Sequence, residues 1–205
     1  MASPVFKIMF TRRTFLATTL AASAAPAVAQ TVAPSAPETQ AAQPFMLDPR
    51  FQPQVVRIKR QYLPGQMLIL PRSHYLYFVH EPGLAIRYGV GVGRAGLEFT
   101  GTATIDVKKE WPTWRPTDEM IERDPVTYSK FVDNDYVMPG GPGNPLGARA
   151  LYLFQGGRDT FFRIHGTTEP TSIGRSVSNG CIRMINDHVI DLYNRVPVGT
   201  IVTVL

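Results

Sequence analysis

Two side chains of this 205-residue protein could together do covalent chemistry: Cys181, its single cysteine, and His165, 16 positions earlier. An ordinary thiol has a pKa of about 8.5, so only about 3% of it is thiolate at pH 7. It needs a base, and an imidazole can take the proton and hold it as a cation. Cys181 follows Ser178-Asn179-Gly180. A glycine at 180 gives the backbone room to approach a substrate, and successive N–H groups at such a turn could stabilise a developing oxyanion. Plainer readings stand beside these. A free cysteine is commonly a small buried hydrophobe, and a lone histidine at the end of a strand is usually structural. The other histidines, His74, His80 and His188, have no partners at ligand spacing, and one cysteine excludes an intramolecular disulfide and cysteine-rich metal sites. We expect neither a metal nor a cofactor.

The segments that must position the pair are short and β-like. Apolar, aromatic and β-branched residues cluster at 55–59, 66–70, 75–79, 84–92, 101–108, 149–155, 160–165 and 200–205. Pro64-Gly65, Pro71 and Glu81-Pro82-Gly83 punctuate the first of them. His165 closes the seventh. This spacing predicts a mainly β domain, a mixed β-sandwich or barrel-like fold, rather than alternating βα units. One or two short helices are expected, at 117–123 and 186–195. In the second, Asn186 can cap and Val189, Ile190 and Tyr193 share a face. Gly91, Gly93 and Gly96 satisfy a GxGxxG pattern, but a β-like run follows where a dinucleotide site needs a helix. The loop Trp111-Pro-Thr-Trp114-Arg-Pro116 cannot be a regular helix. We read it as a rigid connection whose tryptophans pack on the core, the alternative being part of a substrate wall. Residues 139–147, rich in proline and glycine, form a shaped loop near one rim of the sheet.

The hydrophobic fraction of 44% is enough for a sizeable core. The formal charge of +5 does not signal a nucleic-acid partner. Lys7, Arg12 and Arg13 lie in an N-terminal stretch without acids, and removing it leaves 18 basic against 16 acidic residues, or +2, with no basic run. That stretch, residues 1–29, reads as an export signal. Thr11-Arg12-Arg13-Thr14-Phe15-Leu16 resembles a twin-arginine signal, a short apolar run follows, and Ala27-Val28-Ala29 fits a small-x-small cleavage site. The apolar run is too short for the roughly 20 residues of a membrane-spanning helix, so no span is expected in the mature chain. Residues 30–53, rich in Ala, Pro, Gln and Thr, read as a linker, and 54–205 as the catalytic domain. A periplasmic location follows as an expectation.

His165-Gly-Thr, followed by Ser178-Asn-Gly-Cys181-Ile-Arg183, resembles the L,D-transpeptidase (YkuD-type) catalytic domain. The segments Tyr88-Gly-Val-Gly-Val-Gly, Glu110-Trp-Pro-Thr-Trp-Arg-Pro and 139–151 resemble the proteobacterial branch of that family in the same order. Asn179 departs from it, since many members carry His there. The resemblance implies Cys181 as nucleophile and His165 as base, with the Gly166 carbonyl orienting the imidazole. Backbone N–H groups of Cys181, Gly180 and Asn179 would form the oxyanion site. It also implies that the loop 139–147 borders the cleft. If its segment is extended, Arg183 shares a side with Cys181, and its guanidinium suits the carboxylates of peptidoglycan stem peptides. Its plainer reading is an ion pair that holds the loop. Ser178 and Arg175 are lesser substrate-binding candidates, and Ser178 could simply shape the turn.

The implied reaction is attack on the bond between the third stem residue and D-Ala, giving a thioester that an amine resolves. The acceptor would be another stem, making a 3→3 cross-link, or an envelope protein. With water, the enzyme would be an L,D-carboxypeptidase. Carbapenems are expected to acylate the cysteine. A wall-peptide cysteine peptidase and a non-catalytic peptidoglycan-binding module are the rivals.

Overall fold

The computed structural model describes residues 45–205. The expected export segment and most of the expected linker lie outside them. Among the described residues, eleven strands and two α-helices follow one another. The strands are β1 (Gln54–Arg57), β2 (Met67–Leu70), β3 (Tyr75–Glu81), β4 (Leu84–Gly89), β5 (Val92–Gly93), β6 (Gly101–Glu110), β7 (Arg149–Gln155), β8 (Arg158–His165), β9 (Ser176–Ser178), β10 (Ile182–Arg183) and β11 (Ile201–Val204). The helices are α1 (Asp118–Arg123), between β6 and β7, and α2 (Asn186–Arg195), between β10 and β11. The mainly β expectation holds.

Nine strands form one mixed sheet in the order β1-β4-β3-β2-β11-β6-β7-β8-β10, and β5 pairs with β9 beside it. Most neighbours are antiparallel; β11 with β2, β10 with β8 and β5 with β9 are parallel. Residues alternate along β6 as a pleated strand with one wet face requires, Ala103 and Ile105 buried and Thr102 exposed. β2 is different: Met67, Leu68 and Ile69 are all buried, as in a strand covered on both faces. Gly91, just beyond β4, exchanges backbone hydrogen bonds of 2.8 and 2.9 Å with Arg183. That bridge draws the β10 edge onto the chain leaving β4, so the sheet curls toward a barrel and encloses one core.

Helix α2 covers β7 and β8 by burying Val189 and Leu192, three positions apart on one stripe, with His188 beside them. Each fully buried aliphatic side chain of this kind contributes about 1.5–3 kcal/mol relative to leaving it in water. Ile190 and Tyr193 are only half-buried, so the buried face is rotated from the expected one. Tyr193 serves instead as a ring for Lys108 Nζ, 4.2 Å from its centroid. Asn186 does not cap α2 either. Ile185 holds the cap position, and the Asn186 side chain is used elsewhere. Phe51 of the 3-10 turn Pro49–Phe51, within the stretch expected to be linker, is buried.

Candidate active site

His165 is the last residue of β8 and is gripped from both sides. It lies opposite Ala150 of β7 and Arg183 of β10, and its carbonyl accepts from Met184 N–H at 2.8 Å. Its ring Nδ1 is 2.5 Å from the Gly166 carbonyl. A carbonyl can only accept, so Nδ1 carries the hydrogen and Nε2 keeps its lone pair. Gly166 is held in turn by its own N–H, which donates to Arg149 O, and the Asn186 side chain packs against it while bonding the residues around it. Asn186 Oδ1 accepts from Ala148 N–H at 3.0 Å, and its Nδ2 donates to Thr167 O at 3.2 Å. A Cβ at Gly166 would collide with that amide oxygen, so glycine is required there. Burial lowers the pKa of His165 to about 4. The Arg183 and Arg163 charges push the same way, against the carbonyls of Gly166 and Leu146.

The cysteine turn is shaped by Ser178. Its hydroxyl donates to Cys181 O at 2.6 Å and accepts from Gly180 N–H at 3.1 Å, and the residue is 2% exposed. Gly180 N–H is thus spent inside the turn rather than offered to an oxyanion, and Ser178 shapes the turn, its plainer reading. Among the described residues, Asn179 and Cys181 N–H make no hydrogen bond, so these two remain as donors. Gly180 has a φ of +121°, and a Cβ there would meet Leu97 O and the Phe162 ring at 2.5 Å. The space that glycine provides is therefore taken by the protein itself, not by a substrate.

The Cys181 sulfur faces the Phe161 carbonyl at 3.9 Å, and among the described residues it makes no hydrogen bond to His165. Burial raises its pKa, partly countered by the Arg163 N–H and by the charges of Arg163 and Arg183. Phe161 has a φ of +61°, a conformation that costs a bulky residue energy, and the residue is 67% exposed. The register of β7 and β8 shifts around it, so residues 160–162 bulge toward the cysteine.

Cys181 and His165 open into one cleft of about 900 Å³. Ser178, Asn179 and Arg183 line it too; Arg175 is exposed and does not. Arg183 Nη1 lies 2.6 Å from Glu169 Oε2, the ion pair of its plainer reading. The opposite wall comes from the excursion between β6 and β7: Trp114, Pro116, Met120, Arg123 and Tyr128. Trp114 therefore faces the cleft. Its ring packs on Phe131 (5.2 Å, edge-on) and Tyr128 (6.2 Å), within the same excursion, not on the sheet core. Pro145 and Leu146 bring the loop 139–147 to the rim. Sequence reasoning missed Phe161, Glu169, Asn186, Arg123 and Tyr128. All act through long-range contacts, and no local pattern marks them.

A thiol and a tautomer-fixed imidazole in one cleft of a mainly β domain are the equipment of enzymes that use a cysteine nucleophile. The chain belongs to the YkuD family, the L,D-transpeptidase catalytic domain, which matches residues 65–204. It is 51% identical over 140 residues, 68% of this chain and 75% of the relative, to the putative L,D-transpeptidase YkuD of Bacillus subtilis. It is 33% identical over 144 residues to the probable L,D-transpeptidase ErfK/SrfK of Escherichia coli, covering 69% of this chain but 44% of that protein. The chain thus spans less than half the length of the E. coli relatives it matches. Among solved structures, a Brucella melitensis protein described as a probable carnitine operon oxidoreductase is 56% identical, with a TM-score of 0.52 over 75% of this chain and 93% of that one.

Proposed function

We propose that this protein is an L,D-transpeptidase of the bacterial cell wall, exported to the periplasm through its N-terminal segment, with the catalytic domain tethered by the residues that follow. The observation that supports the reading is that Cys181 and His165 both line one cleft, with Nδ1 of the imidazole held by the Gly166 carbonyl. Family membership supports the substrate class. Among the described residues no helix is long and apolar enough to cross a membrane.

The pair rests as a neutral thiol and a neutral imidazole, because burial raises one pKa and lowers the other. Attack therefore begins with rotation of the thiol away from the Phe161 carbonyl toward Nε2. His165 takes the proton as sulfur bonds to the carbonyl carbon between the third stem residue and D-Ala. The oxyanion forms against the N–H groups of Asn179 and Cys181. The C–N bond then breaks, His165 returns its proton to the departing D-Ala amine, and a thioester remains. An acceptor amine attacks the thioester, loses its proton to His165, and the proton returns to sulfur. Long thiol–base contacts in the resting state are common and tighten with substrate. The oxidoreductase description of the Brucella relative finds no counterpart in the glycines at 91–96, which lead by a turn into β6 and not into a helix.

Incubation with tetrapeptide-bearing muropeptides tests the reading. Cross-linked dimers with loss of D-Ala are expected, together with a carbapenem adduct by intact mass that Cys181→Ala abolishes. Shortened monomers alone would make it a carboxypeptidase or peptidase, and absence of turnover and adduct in the wild type would leave only a binding module.

A further inference from the structure

We propose that Arg94 and Arg123, gathered on the side-chain oxygen of Asn179, form a subsite for a free carboxylate of the peptide substrate. The proposal rests on the transpeptidase reading and adds which substrate group is recognised and by which residues. Asn179 Oδ1 accepts from Arg94 Nη2 at 2.6 Å and from Arg123 Nη2 at 3.1 Å, and its Nδ2 donates to the Tyr128 hydroxyl at 3.0 Å. Arg94 follows β5, whereas Arg123 ends α1 on the opposite wall, so two distant segments deliver guanidiniums to one atom.

An amide oxygen is neutral. It accepts hydrogen bonds but leaves the two cations repelling each other. Among the described residues neither guanidinium is in a salt bridge. The nearby Asp124 carboxylate is held below its usual range first by the Thr127 hydroxyl and N–H, and then by the Arg123 and Arg94 charges. The carboxyl of Glu119, one turn before Arg123 on the same cleft wall, is lowered first by its own N–H and the Thr117 hydroxyl and then by the Arg123 charge, so two carboxylates lie near the two guanidiniums without forming an ion pair with either. Arg183, the cation expected to read carboxylates, is already paired with Glu169 at 2.6 Å.

Position and unspent donors both fit a carboxylate. Asn179 lies two residues before the nucleophile, a chain reach of at most about 7 Å, and a carboxylate one residue beyond an attacked carbonyl sits about 3.8 Å further along. Each guanidinium has five N–H donors and spends one on Asn179. The rest can take a carboxylate through paired hydrogen bonds. A neutral imidazole at 179 has a single acceptor nitrogen, so it could not hold both arginines and donate to Tyr128 in the same way.

Binding to the Cys181→Ala protein, measured by calorimetry, tests this without turnover. Three muropeptide monomers with tetrapeptide stems serve as probes: both carboxylates free, the terminal D-Ala amidated, and the third residue's side-chain carboxylate amidated. One amidation is expected to weaken binding about tenfold, the scale of a lost charge-assisted hydrogen bond, and to name the carboxylate bound. Arg94→Ala and Arg123→Ala should weaken the free peptide similarly while leaving that amidated form unchanged. Both arginines are exposed, so circular dichroism should show intact folds. Equal affinity for all three peptides, or equal weakening of all three by the arginine variants, would overturn the subsite and leave the transpeptidase reading standing. Failure to bind any of them would remove both.

Discussion

One wall of the cleft is made of β8, β9 and β10, and the other is the excursion 111–138 between β6 and β7. On the first, every element is tied by backbone hydrogen bonds, to Gly91, to β7 or to β5, and Ile164, Ile182 and Met184 belong to the main hydrophobic core. On the second, no residue belongs to that core. α1 buries no side chain, one isolated bridge joins Trp114 to Met138, and the rest is an aromatic cluster plus Arg115 reaching the carbonyls of Phe131 and Tyr136. The thiol and imidazole sit on the first wall, where geometry is fixed by main-chain ladders. The second wall supplies side chains that face a ligand from a less constrained support. Asn179 is where the two touch.

Breaking the first wall's chemistry should give the largest effect. His165→Ala is expected to lower kcat for D-Ala release by about 10²–10⁴-fold, the usual contribution of a positioned base, with KM changed little. A loss below tenfold in muropeptide kinetics would show that the imidazole is not the base.

The same histidine makes the first wall acid-sensitive. Its folded pKa of about 4 lies below the ordinary 6.5, so between these values the unfolded chain binds the extra proton. The stabilisation from keeping His165 neutral is fully present above about pH 6.5 and is lost as pH falls toward 4. Its full size is roughly 3 kcal/mol, from about 1.36 kcal/mol per unit. Denaturant titrations between pH 7 and 4 should show this decline, and His165→Gln should flatten it. His74 and His188 are shifted in the same direction by burial, so a smaller slope should remain. An unchanged slope in His165→Gln would contradict the buried neutral imidazole.

The contrast between the walls also explains what could be read in the chain. The strands of the main sheet were legible because β-branched and apolar runs, bounded by proline and glycine turns, obey a local period. The motif residues were legible by type and spacing, and α1 by its Thr117 cap, whose hydroxyl accepts from Met120 N–H. β9 and β10 were not: three and two residues long, they are strands only because β5 and β8 lie beside them. Asn186 looked like a cap because Asn before an apolar stripe usually is one. Its amide proved more useful between Ala148 and Thr167, a pairing 38 and 19 residues distant that no window contains. The Gly180 N–H, an oxyanion donor by type and spacing, is instead taken by the Ser178 hydroxyl, a contact set by the turn's own geometry.

The smallest effect is expected where the second wall holds itself together. Trp114 meets Phe131 edge-on and Tyr128 at a tilt, and such pairs contribute about 0.5–1.5 kcal/mol each. Trp114→Ala should therefore ease local opening by about 1–2 kcal/mol, speeding amide exchange over 111–138 roughly 5–30-fold. Amides of β7 and β8 should keep their protection, because the core that holds them contains nothing from this segment. KM should rise while kcat changes little, since Trp114 lines the cleft but touches neither Cys181 nor His165 through a hydrogen bond. Faster exchange spreading equally into β7 and β8 would mean that the walls unfold together, and the division between a rigid chemical wall and a softer recognition wall would have to be given up.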